Sequence, residues 1–305
     1  MASNVTLKQL KVFTALTQQE TLTAAAKKLF LSKAAVSLSL GELEKQLGLV
    51  LFDRVNNRLI LNQEGKRLLP LADELLHRSE DIQHMFTFDQ ALHGQLKIGA
   101  SDTIGNQVVP YLLRDFRQHS QHQQQSLLIS NTSLICDKLT DYELDLGLIE
   151  GKVQSDQLLM QPWNQDEMCI ICSPNHPLAQ QDSVLARDFE NTEWLLREAG
   201  SGSREFFLRT VAPRIEVWTE SFQLNTTEAI INATAANLGL ACLSRLAAQS
   251  ALEHNRVVEL KVPLDMTRRF WLLVHKEKYQ SPLLKTFMQF CIDWKMLESL
   301  KSSAK

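Results

Sequence analysis

The chain has 305 residues with 32 Lys or Arg, 35 Asp or Glu and a net charge of −3. That length allows two or three domains, and the near-neutral total does not by itself point to a nucleic-acid partner. The five cysteines are scattered and odd in number, which argues against a disulfide framework and for reduced thiols in a cytoplasmic protein. No uninterrupted apolar run approaches a membrane span, and the opening MASNVTLKQL has neither an apolar core nor a cleavage-like site.

The charge is unevenly placed. Residues 1–67 carry ten Lys or Arg against five Asp or Glu, a net of +5, so the remainder carries −8. A basic head on an acidic body fits a molecule that touches phosphate at one end only.

In chain order, Leu7 to Gln19 reads as a helix with Leu10, Val12, Phe13, Ala15 and Leu16 available for packing. Thr23 to Leu47 then reads as two short helices. Thr23 and Ser32 are the expected N-caps, since their hydroxyls can accept orphan amides of a first turn. Val36, Leu40, Leu43 and Leu47 fall on one helical stripe. The other face holds Lys33, Ala34, Ser37, Leu38, Gly41 and Lys45, small or basic, as a helix laid in the major groove requires. An ordinary helical hairpin has the same periodicity, so the pattern alone leaves both readings open. Phe52 to Leu61 reads as a small hairpin turned at Asn56-Asn57, with Arg54 and Arg58 flanking the turn.

Ala35-Val36-Ser37, Leu43-Glu44 and the run LGLVLFDR at 47–54 resemble the N-terminal signature of LysR-type transcriptional regulators. KIGASDTIGN at 97–106, DLGLIEG at 145–151, LREAGSGSREFF at 196–207 and LGLACLSR at 238–245 resemble effector-region landmarks of that family, in the manner of its YeiE-like branch. The resemblance implies an α/β protein with three parts. These are a winged helix-turn-helix over 1–62, a linker and dimerisation helix over 63–93, and an effector-binding region over 94–305. The last would resemble a periplasmic binding protein, with subdomain I over 95–164 plus 268–305 and subdomain II over 165–267. It also implies double-stranded promoter DNA as partner, with Thr23, Ser32, Lys33, Ala34, Ser37, Leu38, Arg54 and Arg58 at the interface.

Asn62 can cap a helix running to about Leu92, with a coiled-coil-like seam of Leu68, Leu71, Leu75, Ile82 and Phe86 that calls for a second copy. Packing on the chain's own effector region is the alternative. Pro70 should kink this helix by removing one backbone bond. The family resemblance likewise implies a homodimer through this helix, and commonly a tetramer.

After His93-Gly94 short apolar strands alternate with helices, which argues for parallel α/β sheets. Strands are expected at Leu96–Ala100, Leu127–Ser130, Leu146–Ile149, Met168–Cys172, Trp194–Leu196, Ile215–Trp218, Leu240–Leu243 and Phe270–Val274, and helices at 107–118, 133–142, 204–211, 227–237 and 282–298. Ligands in such sheets bind beyond the strands' carboxyl ends. The residues expected there are Ser101, Thr103, Asn131, Thr132, Gly202, Ser203, Arg204 and Thr226. Each hydroxyl taken singly can be a plain N-cap. Together they favour a compact anion, with Arg204 as its positive charge unless a neighbour such as Glu205 or Glu228 claims it. Asp102 is unwelcome beside an anion unless it points away. Sulfur-responsive members of the family hold sulfate-like anions at comparable helix ends, so the resemblance implies a sulfur oxyanion first and an amino acid or other small carboxylate second.

No HExxH, Walker or GxSxG motif is present, and no cofactor or catalytic residue is expected. Cys169 and Cys172 form a lone CxxC that reads as buried strand thiols rather than a zinc site, and His119 and His122 read as solvated. GSGSR at 200–204 resembles a weak phosphate nest, which keeps an enzyme fused to a helix-turn-helix as the rival class.

Overall fold

The computed structural model describes residues 4–19, 21–56, 58–85, 92–296 and 299–300. The head consists of α1 (Leu7–Gln19), α2 (Leu22–Leu29), α3 (Lys33–Leu47) and the antiparallel pair β1 (Phe52–Val55) and β2 (Arg58–Leu61). Phe13, Leu16, Val36, Leu40, Leu43, Leu51 and Phe52 form its buried core. The helix boundaries follow local chemistry. Ser32 accepts from the Ala35 amide at 3.1 Å as expected, but the cap of α2 is Thr21, whose hydroxyl accepts from Ala24 at 3.2 Å. Thr23 lies inside that helix instead. Gly48 ends α3 in the left-handed region (φ 73°), where a side chain would be strained. Asn56 turns the hairpin with φ 48°, while Asn57 lies outside the described residues.

Helix α4 (Gln63–His84) is capped by Asn62 and runs through Pro70 as one continuous element. It stops short of Leu92, and Phe86 of the expected seam lies outside the described residues. Its two faces differ. Leu69 and Ala72 are buried in a cluster that includes Tyr142 of the following region, whereas Leu71, Leu75, Ile82 and Met85 are at least half exposed. Leu68, expected in the seam, packs against the head core. The alternative of packing on the chain's own effector region is therefore realised, by the face opposite the exposed stripe.

Next come β3 (Leu96–Ser101), α5 (Asp102–Gln107), α6 (Val109–Ser120), β4 (Gln125–Ser130), α7 (Thr132–Thr140), β5 (Leu146–Glu150) and β6 (Leu158–Cys172). They are followed by β7 (Thr192–Arg197), α8 (Gly202–Phe206), β8 (Trp218–Leu224), α9 (Thr227–Ala235), β9 (Leu240–Ser244), α10 (Arg245–Glu253), β10 (Val258–Leu260), β11 (Thr267–His275) and α11 (Pro282–Asp293). Strand order is β4-β3-β5-β11-β6-β9-β7-β8, with β10 beside β6. The β3–β4 and β3–β5 pairs are parallel in one half, as are β7–β8 and β7–β9 in the other. The fifteen-residue β6 serves both halves, pairing β11 early and β9 late. The result is a two-lobed α/β body in which β6 and β11 cross between lobes. Each lobe has its own core, around Ile98, Phe116 and Phe287 in the first and Trp194, Phe207 and Ile170 in the second.

Several expected boundaries shift. The helix expected at 107–118 starts at Val109, separated at Val108 from the unexpected α5, because Pro110 suits only a first turn. Ile215 is a core residue at the end of a short helical turn, so the strand expected at Ile215–Trp218 begins only at Trp218. His122 is buried at 4% exposure, its Nε2 2.8 Å from the Gly94 carbonyl, rather than solvated. No helix among the described residues is long and apolar enough to cross a membrane.

Candidate functional site

On the head, Lys33, Ala34, Ser37, Leu38, Gly41 and Lys45 of α3 are exposed together, opposite the buried Val36, Leu40 and Leu43. Arg54 and Arg58 stand exposed on the hairpin beside it. The joint between helix and hairpin is fixed by polar contacts. Glu44 Oε1 accepts the Leu51 amide at 2.8 Å, and Asn62 Nδ2 donates to the Val50 carbonyl at 2.9 Å. A small, basic helix face next to a basic hairpin can meet base edges and phosphate at once.

In the body, β3, β4, β5 and β7 end at one cleft between the lobes. The donors expected to face a ligand are largely engaged by the protein itself. Ser101 Oγ accepts the Glu150 amide at 3.2 Å, and the Thr103 amide donates to Glu150 Oε1 at 2.7 Å. Asn131 caps α7 and also donates to Glu198 at 3.3 Å, while Thr132 Oγ1 reaches the Glu150 carbonyl at 3.4 Å. Thr226 is a plain cap of α9, accepting from Ala229 at 3.2 Å. Arg204 is not the cleft's free charge. It forms a two-pronged pair with Glu220, both bonds at 2.8 Å, and donates to the Arg197 carbonyl.

The charges at the centre of the cleft are others. Arg268, 3% exposed on β11, donates to Glu150 at 3.0 Å, to Ser203 at 3.2 Å and to Asp166. Arg197, 4% exposed, binds Glu198 and Thr227 and reaches across to Asp102 at 2.9 Å, so Asp102 is held by this cation. Burial works against the Arg268 cation, but Glu150 and Asp166 outweigh it and hold its pKa above the ordinary value. Burial pushes the Asp166 carboxyl up even with Arg268 beside it. Sequence alone hides these pairs, because Arg268 lies 118 positions from Glu150 and Arg197 lies 95 from Asp102.

Between the lobes lies a cavity of about 250 Å³ lined by Thr132, Ser133, Glu150, Lys152, Arg209 and Arg268, with Gly200 and Gly202 at its edge. A Cβ on Gly202 would come within 2.7 Å of the Glu150 carbonyl oxygen, so glycine permits this approach of the lobes. The cysteines play no part. All five are buried and free, and burial pushes the Cys172 thiol up to about 11 and Cys242 to about 12. Among the described residues no His, Cys, Asp or Glu group could hold a metal ion.

Residues 7–66 match the sequence family described as "Bacterial regulatory helix-turn-helix protein, lysR family", and residues 89–295 match "LysR substrate binding domain". The chain belongs to the LysR family of transcriptional regulators. It is 35% identical to the uncharacterized regulator YeiE of Escherichia coli over 94% of this chain and 97% of that one. A full-length OxyR variant from Pseudomonas aeruginosa shares the fold with a TM-score of 0.73 at 21% identity, covering 94% and 95% of the two chains. The CcmR regulatory domain of Synechocystis PCC6803, in complex with 2-PG, matches 66% of this chain and 96% of its own with a TM-score of 0.59 at 23% identity. A LysR regulator binds promoter DNA and a small effector, and this chain is accordingly a regulator rather than an enzyme.

Proposed function

We propose that this LysR regulator works in the cytoplasm as a homo-oligomer and reads promoter DNA through α3 and the β1–β2 hairpin. Ser32, Lys33, Ala34, Ser37 and Leu38 contribute from the helix, Arg54 and Arg58 from the hairpin, and Thr23 from the helix before. Its effector is a compact oxyanion, with a sulfur oxyanion first, held in the cleft between the lobes. The observation that carries the effector reading is the 250 Å³ cavity, where Lys152, Arg209 and Arg268 meet the Thr132 and Ser133 hydroxyls in a space too small for a nucleotide. The donors that Ser101, Thr103 and Ser203 were expected to supply act through Glu150 and Arg268, which they hold in place. The CcmR regulatory domain, which shares this fold and is described in complex with 2-PG, supports a small ligand for this region.

A second reading has its own support. Glu150 and Glu205 also line the cavity, so an amino acid could set its carboxylate on the cations and its ammonium on these acids. Thermal melting separates the two. Sulfite, sulfate, thiosulfate, phosphate and a set of amino acids are compared with an uncharged metabolite, and an oxyanion at 100 times its Kd should stabilise the protein by about 2.7 kcal/mol. A response to amino acids alone transfers the assignment to the zwitterion. A response to the uncharged compound alone overturns the anion reading.

A further inference from the structure

We infer that Lys278 is a clasp holding the DNA-carrying linker helix to the effector region, and that the β5–β11 strand pair ties this clasp to the effector cleft. The observation is a second buried charge cluster, separate from the cleft. Lys278 Nζ, on a side chain 2% exposed, lies 2.9 Å from Asp73 of α4 and 2.9 Å from Asp145, the residue before β5. Asp145 is further held by the Lys97 amide at 2.8 Å. Around the cluster, Tyr142 pairs with His275 at 2.8 Å, and Tyr279 donates to Asp81 of α4 at 3.0 Å with Arg78 over its ring.

The cluster is built to release on one side. One ammonium faces two carboxylates, and the His77 ring stands 3.5 Å from Asp73; with that ring neutral the closed arrangement has a surplus negative charge in a place with little water to screen it. The two carboxylates are not equally satisfied. Asp145 has both oxygens engaged, by Lys278 and by the Lys97 amide, whereas Asp73 Oδ2 is buried without a hydrogen bond and has only the His77 ring nearby, at 3.5 Å. Burying an unmatched carboxylate oxygen is costly, and lifting α4 away returns it to water. Lys278 and Asp145 then keep each other, so opening strands no buried charge. That gives two allowed arrangements of the linker helix.

The position of the cluster supplies the connection. β5 and β11 are antiparallel neighbours, with Glu150 opposite Phe270 and Gly147 opposite Leu273. At one end of this ladder Glu150 pairs with Arg268 beside the cleft, and at the other Asp145 pairs with Lys278 beside the linker. From Arg268 to His275 the strand spans about 24 Å. A ligand that alters the Arg268 cluster thus acts on strands whose far ends grip α4, which is a physical path between two sites. This part of the inference rests on the proposed effector cleft; the clasp itself does not.

The test uses the full-length protein carrying spin labels on Lys45→Cys in the head and Gln118→Cys in the effector region, both exposed positions. The five natural cysteines are buried, and dilution with unlabelled protein leaves one labelled chain per oligomer. Pulsed dipolar spectroscopy should give one narrow distance for wild type and a second, longer population for Asp73→Asn. Lys278→Met strands two carboxylates and can fail to fold, whereas Asp73→Asn keeps the Lys278–Asp145 pair. Saturating sulfite should shift the wild-type distances and leave those of Asp73→Asn unmoved. Identical distributions for wild type and Asp73→Asn without ligand overturn the clasp. A broadened Asp73→Asn beside a wild type indifferent to sulfite, sulfate and phosphate keeps the clasp and overturns the oxyanion effector and its link to the ladder.

Discussion

Arg268 is 3% exposed, and among the described residues its charge is answered by Glu150 and Asp166. Such a triad adds little net stability when whole, but losing one member leaves the others exposed to a low dielectric. Arg268→Leu should therefore lower stability by about 3–5 kcal/mol, measured as a fall in the urea midpoint. A midpoint shift below about 1 kcal/mol, the range of a surface pair, would show that the triad is not sealed from solvent. The clasp makes a second residue-scale prediction, now in pH. Burial opposes the Asp145 charge, but Lys278 and the Lys97 amide outweigh it and hold the carboxyl below its ordinary 3.8. Burial also opposes the Lys278 charge, yet the two aspartates keep its pKa above 10.5. A depressed carboxyl stabilises fully above its unfolded value and loses that contribution as pH falls through the folded one. A raised lysine stabilises fully below 10.5 and loses it as pH rises past the folded value. Asp145→Asn should hence lower the Tm at pH 7 and flatten its fall below about pH 4. An acid limb identical to wild type would sink that assignment.

Among the elements, α4 carries the clearest sequence signal and the largest revision. Its period was legible, since Leu71, Leu75 and Ile82 do form one stripe and remain exposed. The other face was not, because Asp73 and Asp81 find their partners about 200 positions away at Lys278 and Tyr279. Local pattern reports which residues share a face, not what a distant loop will bring to it. The same limit explains the cleft. Ser101, Asn131 and Thr226 do lie at or just past strand ends, as the pattern placed them, but the buried cations of the cleft, Arg197 and Arg268, sit at the end of one strand and inside another. The shift of β8 has a different origin. It is an edge strand with no buried residue, so no alternation marks its limits, while the more apolar Ile215 is buried outside it. An exposed stripe of three large side chains on α4, with Met85 just past its end, fits cover by a second copy, as proposed. Leu75→Glu should split the oligomer or drive it to aggregate, and light scattering showing a wild-type monomer at micromolar concentration would refute the pairing.

At the scale of the molecule, a basic head, a linker helix packed on the body and a two-lobed body make up the proposed path from ligand to DNA. Affinity for promoter DNA should fall steeply with salt if, as proposed, Arg54 and Arg58 meet phosphate beside the recognition helix. Arg54→Ala and Arg58→Ala should each reduce that slope by about 0.9. The effector should act differently, by changing which head arrangement is populated rather than the number of phosphates met. The most direct measurement is therefore promoter binding by the wild type and by a Lys152→Ala, Arg209→Ala double variant, at one fixed salt concentration, with and without sulfite. The wild type should change its affinity or the length of its footprint on adding sulfite, and the double variant, intact in fold and DNA binding, should not. Equal responses of the two proteins to sulfite, or a wild type that answers an uncharged metabolite and no oxyanion, would contradict an anion read in this cleft.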